Sequence, residues 1–113
     1  MTESEFLKLA DMTLRAIETA LELAADNTEF DVECSRSGNV LEIEIIDNGS
    51  KVIVNSQTPM QEIWLAAKSG GFHYKRHHEQ WINTRDGSEL FQSLSAMLTA
   101  QSGCQVMLEI DKG

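Results

Sequence analysis

Asp11, Glu18, Glu22 and Asp26 follow one another at intervals of seven, four and four residues. On a helix of about 3.6 residues per turn, that spacing puts all four on one flank. Arg15 interrupts the row. Glu29, Asp31 and Glu33 continue it at alternate positions, which on an extended chain share one face. Clustered carboxylates without histidine or cysteine are hard oxygen donors. They suit Fe²⁺, Fe³⁺ and other divalent cations such as Mn²⁺, Ca²⁺ or Mg²⁺, held weakly on an open surface. The same row would attract a basic protein surface. It could also be a solvated polar face. Against that, like charges at i, i+4 cost about 0.2–0.5 kcal/mol each, and Asp26 opposes the helix dipole.

Other chemistry has thinner support. Arg76-His77-His78-Glu79 offers imidazoles, but neighbours on a strand point to opposite faces. His73 and His77 could share a face, and the HExxH spacing is absent, so a turn or surface role fits better than metal ligation. Cys34 and Cys104 lack CxxC spacing and read as free thiols; a single bridge between them is the alternative. Cys34 alternates with acids, which would raise its pKa. There is no GxSxG elbow, and Ser69-Gly70-Gly71 is a turn rather than a phosphate loop. No catalytic residue is expected. Trp64 is different. If Ile63 and Leu65 face a core, alternation turns Trp64 outward beside Asn55. A tryptophan next to an amide on an uncovered sheet makes a good interface anchor, and Gln57 in the following turn could extend it.

These residues need elements to hold them. Phe6, Leu9, Ala10, Thr13, Ile17, Ala20, Leu21 and Ala24 form one helical stripe over 3–26, widened by Leu7 and Leu14. Thr2 and Glu5 have the spacing of a capping box. The period then changes to two. Strands are predicted at Glu29–Cys34, Leu41–Ile45, Val52–Ser56, Glu62–Ala66, Phe72–Arg76 and Gln80–Asn83. Turns at Ser37-Gly38-Asn39, Asp47-Asn48-Gly49-Ser50, Thr58-Pro59 and Ser69-Gly70-Gly71 separate them. A second helix is predicted over 88–102 with the stripe Leu90, Phe91, Leu94, Met97 and Leu98, ended by Ser102-Gly103. Val106–Ile110 could add a short strand. Hairpin-length connections make the sheet antiparallel. The fold class is α+β: a two-layer sandwich of helix, antiparallel sheet of about five to seven strands, and helix, with both helices on one sheet face.

Composition sets the boundaries. The 113 residues amount to one domain, 42% hydrophobic, with a single proline. Net charge is −9. Residues 1–50 hold 12 acids and 3 bases, whereas residues 51–113 hold 6 of each, so the imbalance lies entirely in the first half. That disfavours nucleic acid and anionic membranes as partners. No apolar run approaches the roughly 18 residues of a membrane span, and the acidic start lacks a signal peptide's features, so a cytoplasmic location is expected.

The sequence resembles the bacterial frataxins, the CyaY family. The likeness rests on Ser4-Glu5-Phe6 with Leu9-Ala10-Asp11, on Val40-Leu41, and on Asp47-Asn48-Gly49-Ser50-Lys51 running into Val52-Ile53-Val54-Asn55. It continues through Gln57, Pro59, Ile63-Trp64-Leu65-Ala66, Lys68 and Gly70-Gly71-Phe72-His73-Tyr74, then Trp81 and Asp86-Gly87 to Phe91. It implies a single domain over 1–113 and a non-enzymatic, iron-binding regulator of iron–sulfur cluster assembly, monomeric without iron. The implied partners are a cysteine desulfurase and the cluster scaffold protein. Carried over by position, the iron ridge would use Glu3, Asp11, Glu18, Glu22, Asp26, Glu29, Asp31 and Glu33. Partner contact would use Glu18 and Glu22 with Asn55, Gln57 and Trp64. The other reading within the family is an iron chaperone or store that oligomerises when loaded. Outside it stands an acidic adaptor that binds no metal. The chain departs from the family where Leu23-Ala24-Ala25 and Asn27 thin the acids, and where Leu7-Lys8 replace a histidine found in some relatives.

Overall fold

The computed structural model describes residues 1–108. Helix α1 runs Glu3–Asn27. Its capping box forms as predicted: the Glu5 N–H donates to Thr2 Oγ1 at 3.1 Å, and the Glu5 carboxylate accepts from Thr2. Phe6, Ala10, Thr13, Leu14, Ile17, Ala20 and Leu21 are buried along it, and Leu9 and Ala24 pack at the margins. Leu7 does not join the stripe; it points to solvent, 47% exposed.

Six strands follow as a meander whose order in space is the order in the chain. They are β1 Val32–Ser37, β2 Val40–Ile45, β3 Lys51–Gln57, β4 Glu62–Ala67, β5 Gly70–His77 and β6 Gln80–Asn83. All neighbours are antiparallel. The first strand lies three residues beyond its predicted place. A two-residue turn at Gly38-Asn39, with Gly38 at φ 58°, pairs Ser37 with Val40. Pairing then runs back to Val32 opposite Ile45, where β2 ends. Glu29, Phe30 and Asp31 become a lead-in, anchored by the buried Phe30 and by Thr28, whose hydroxyl accepts the Phe30 N–H.

Helix α2, Leu90–Ser102, closes the fold. Glu89 caps its start, accepting from the Phe91 and Gln92 N–H groups, and Gly103 at φ 77° ends it in the left-handed conformation. Both helices cover the face built from Leu41, Ile43, Ile45, Val52, Val54, Ile63, Leu65, Tyr74 and Trp81. Trp81 ties the far strand to α1: its indole N–H donates to Thr13 Oγ1 at 2.8 Å, and Phe6 meets its ring edge-on. The segment predicted as a strand from Val106 is not one through Leu108. It runs along α2, where Thr99 Oγ1 bonds both the N–H and the carbonyl of Val106, and Ser95 Oγ accepts from Leu108. The remainder of that expected strand lies outside the described residues.

Candidate functional site

The acids of α1 do stand on one flank, but bases reach two of them. Arg15 Nε lies 3.1 Å from Asp11 Oδ2. Arg36, on the helix-facing side of the edge strand β1, sets Nη2 2.7 Å from Asp11 Oδ1 and Nη1 3.9 Å from Glu18. Its Nε donates to the Gly38 carbonyl, which holds the guanidinium across the gap between strand and helix. Glu22, Asp26, Glu29 and Asp31 have no basic partner within 4 Å among the described residues, and all but the partly covered helix acids Asp11 and Glu18 are exposed. Glu3 sits in the first turn, about 34 Å along the axis from Asp26 at about 1.5 Å per residue. Glu33 leaves the row altogether. Alternation turns it to the uncovered sheet face, opposite Glu44, while its neighbours Val32 and Cys34 face the helix. The seven carboxylates from Asp11 to Glu33 therefore do not line a single surface.

No three His, Cys, Asp or Glu side chains among the described residues come close enough to hold one ion together. What this row can do is attract cations over its length and offer each one or two carboxylates, with water completing the shell. Cys34 lies beneath Glu18 and Glu22. Burial first, then those two charges, push its thiol up to about 11. That fits the reading of an inert core-side thiol. Neither cysteine is bridged.

The uncovered face carries the second set of residues. Asn55 on β3 pairs directly with Trp64 on β4, and Trp64 with His73 on β5. Gln57 Nε2 donates to Asn55 Oδ1 at 3.1 Å. Ala66 and Gly71, the next pair along, leave space beside the indole. Trp64 is half-buried rather than freely exposed, because the His73 ring stacks on it with centroids 4.3 Å apart and planes 5° from parallel. Glu62, two residues before it, is only 4% exposed, and its Oε1 accepts the indole N–H at 2.8 Å. Sequence reasoning passed over Arg36 and Glu62 and gave His73 no link to Trp64. The two-residue turn Lys68-Ser69 holds that last signal, since it fixes His73 opposite Trp64. His77 and His78 meet edge-on at the next turn, 4.5 Å apart, where His78 takes φ 57°. His77 shares the face of His73 but lies four residues away, about 13 Å along the strand.

Comparison with known proteins bears on the same features. The frataxin-like domain model matches residues 1–104. The iron-sulfur cluster assembly protein CyaY of Janthinobacterium sp. (strain Marseille) is 67% identical over 109 residues, covering 96% of this chain and 97% of that protein. Among solved structures, the frataxin of Psychromonas ingrahamii superposes with a TM-score of 0.85 at 36% identity, covering 95% of this chain and 97% of that one. The trimeric frataxin of Saccharomyces cerevisiae, solved in complex with ferrous iron, shares the fold with a TM-score of 0.72 at 24% identity, covering 85% and 87%. With its capped acidic helix, six-stranded meander and closing helix, the chain belongs to the frataxin-like family, in its bacterial CyaY branch.

Proposed function

We propose that this protein is a non-enzymatic, iron-responsive regulator of iron–sulfur cluster assembly, acting as one domain. Iron is its cargo. The open carboxylates Glu22, Asp26, Glu29 and Asp31, with Asp11, Glu18 and Glu3 further along α1, hold Fe²⁺ or Fe³⁺ loosely. The same negative flank, centred on Glu18 and Glu22, meets a basic surface of a cysteine desulfurase. Asn55, Gln57 and Trp64 contact the desulfurase–scaffold complex through the sheet. Occupancy is the mechanism: seated between the two, the protein alters sulfur transfer, and bound iron tunes how it sits. Glu33 belongs to the sheet face in this scheme, not to the helix ridge.

The observation that carries the reading is the separation of two surfaces on one small fold. One has excess negative charge with acids unpaired among the described residues, and the other has an ordered tryptophan beside an amide. The relatives' name as assembly proteins supplies the process. The test is an anaerobic NMR titration with Fe²⁺, followed by the desulfurase. Loss of resonances around Glu22, Asp26 and Asp31, shifted again by the enzyme, supports a shared ridge. Perturbation confined to His73–Glu79, or none, overturns the iron role. Large iron-dependent assemblies on size exclusion would mark an iron store instead.

A further inference from the structure

We infer that Glu62 is a positioning residue for the docking tryptophan, an inference that rests on the sheet-face reading above. Carboxylates are rarely buried unless paired, and those on an open sheet face have water available. Glu62 is nevertheless 4% exposed on the face that no helix covers. Its Oε1 accepts the Trp64 indole N–H, with Nε1 and Oε1 2.8 Å apart. The rest of its surroundings are loose: His73 Nδ1 is 3.5 Å away and Lys75 Nζ 3.9 Å. Among the described residues, the one close bond made by this carboxylate is therefore the one that fixes the indole.

His73 works from the other side. It stacks flat on the ring from β5. A carboxylate at the ring's N–H and an imidazole on its face together determine both torsions of Trp64. The indole stands in one orientation, with its N–H already satisfied, and presents ring surface toward the Asn55 side. A partner would meet apolar and π surface there rather than a free donor. It would also meet a side chain whose ordering has been settled before contact, which raises affinity by removing that cost from binding.

The test uses the full chain and two substitutions, Glu62→Gln and Glu62→Ala. Gln keeps an acceptor oxygen at the same reach; Ala removes it. The first readout needs no partner: hydrogen exchange and chemical shift of the Trp64 indole N–H, told apart from Trp81 with Trp64→Phe. The wild type and Glu62→Gln should show one protected resonance, and Glu62→Ala a shifted, faster-exchanging one, with all folds checked by thermal melting. The second readout is desulfurase affinity. Glu62→Ala should weaken it by about 2- to 12-fold, the equivalent of ordering one side chain on binding, while Glu62→Gln stays at the wild-type value. An unaltered indole resonance in Glu62→Ala overturns the positioning role whatever the enzyme does. So does a loss of affinity in Glu62→Gln with the indole still protected, which would make the charge itself the contact. Full desulfurase binding by Trp64→Ala would instead overturn the docking reading, and the indole measurement would still decide the clamp.

Discussion

Replacing Arg36 with alanine should make the apoprotein less stable and its cation binding tighter. The guanidinium lies 2.7 Å from Asp11 and 3.9 Å from Glu18, and its side chain is 22% exposed. Partly exposed pairs of this kind contribute about 0.2–1 kcal/mol each, so losing both lowers folding stability by about 1 kcal/mol. The effect on a cation has the opposite sign. Arg36 repels a divalent ion held at Glu18 or Glu22. Two unit charges 4 Å apart in water interact by about 1 kcal/mol, so a divalent ion at about 8 Å feels a similar amount. Removing that repulsion strengthens binding by about fivefold. The gain should be visible in 10 mM salt, where the screening length is about 30 Å, and should shrink near 0.15 M, where it is about 8 Å. Urea unfolding of the apoprotein gives the first quantity. Anaerobic calorimetry with Fe²⁺, or with Mn²⁺ as a redox-inert substitute, gives the second. Affinity that is unchanged or weaker in Arg36→Ala would refute the view that this arginine limits the ridge.

Other outcomes follow from single residues. Tyr74 is fully buried, and its hydroxyl has no hydrogen bond among the described residues; Ser93 and Asn83 stand near but are bonded to Ser88 and to the Arg85 N–H. Tyr74→Phe should therefore stabilise the fold by about 1 kcal/mol, or about 4 °C in Tm, and a destabilised variant would mean that the hydroxyl has a partner. With its thiol raised from 9.0 to about 11, Cys34 should hold about a hundredfold less thiolate at neutral pH than the same residue in urea, and iodoacetamide labelling should slow accordingly. Because the folded state favours the neutral thiol, this contribution is complete below pH 9 and disappears as pH rises through 11; labelling at the unfolded rate would contradict it. Trp64→Ala should melt within a few degrees of the wild type, since the ring lies outside the helix-covered core, and should lose most of the desulfurase effect proposed above.

Much of this architecture is legible in the chain. The 3.6-residue stripe and capping box of α1, the period-two strands and the Gly103 stop all arise from local rules, and the structure follows them. Leu7 failed as a stripe residue because period alone does not say how wide a face the sheet will cover. Glu29 and Asp31 alternate like strand residues, but the ladder with β2 begins at Val32 opposite Ile45, and before it the Asp31 carbonyl adds a single bond from the Ile46 N–H. Glu33 alternates correctly, and the alternation itself carries it away from the helix acids. Arg36 was harder to see. An arginine on a core-facing register position looks misplaced until the strand is known to be an edge, over which a long side chain can reach the next layer. Glu62 was hidden similarly: nothing in its identity shows that an indole and an imidazole will cover it.

The meander order has one more consequence. Residues 55–73, which contain the whole tryptophan cluster, are made by two hairpins that pair only with their chain neighbours. The helix acids depend on more distant support: α1 is hydrogen-bonded along its own length, but it is held to the sheet through contacts between residues as distant as Thr13 and Trp81. Opening that lets α1 and the edge strand fray would disperse the acidic row while the central hairpins stayed paired. On the function proposed above, the acidic flank would lose both its iron and its share of the partner contact while the tryptophan face kept its shape. Amide protection should then rank β3 to β5 above α1, and a chain under stress would pass through a species whose tryptophan face is intact but whose acidic flank is not.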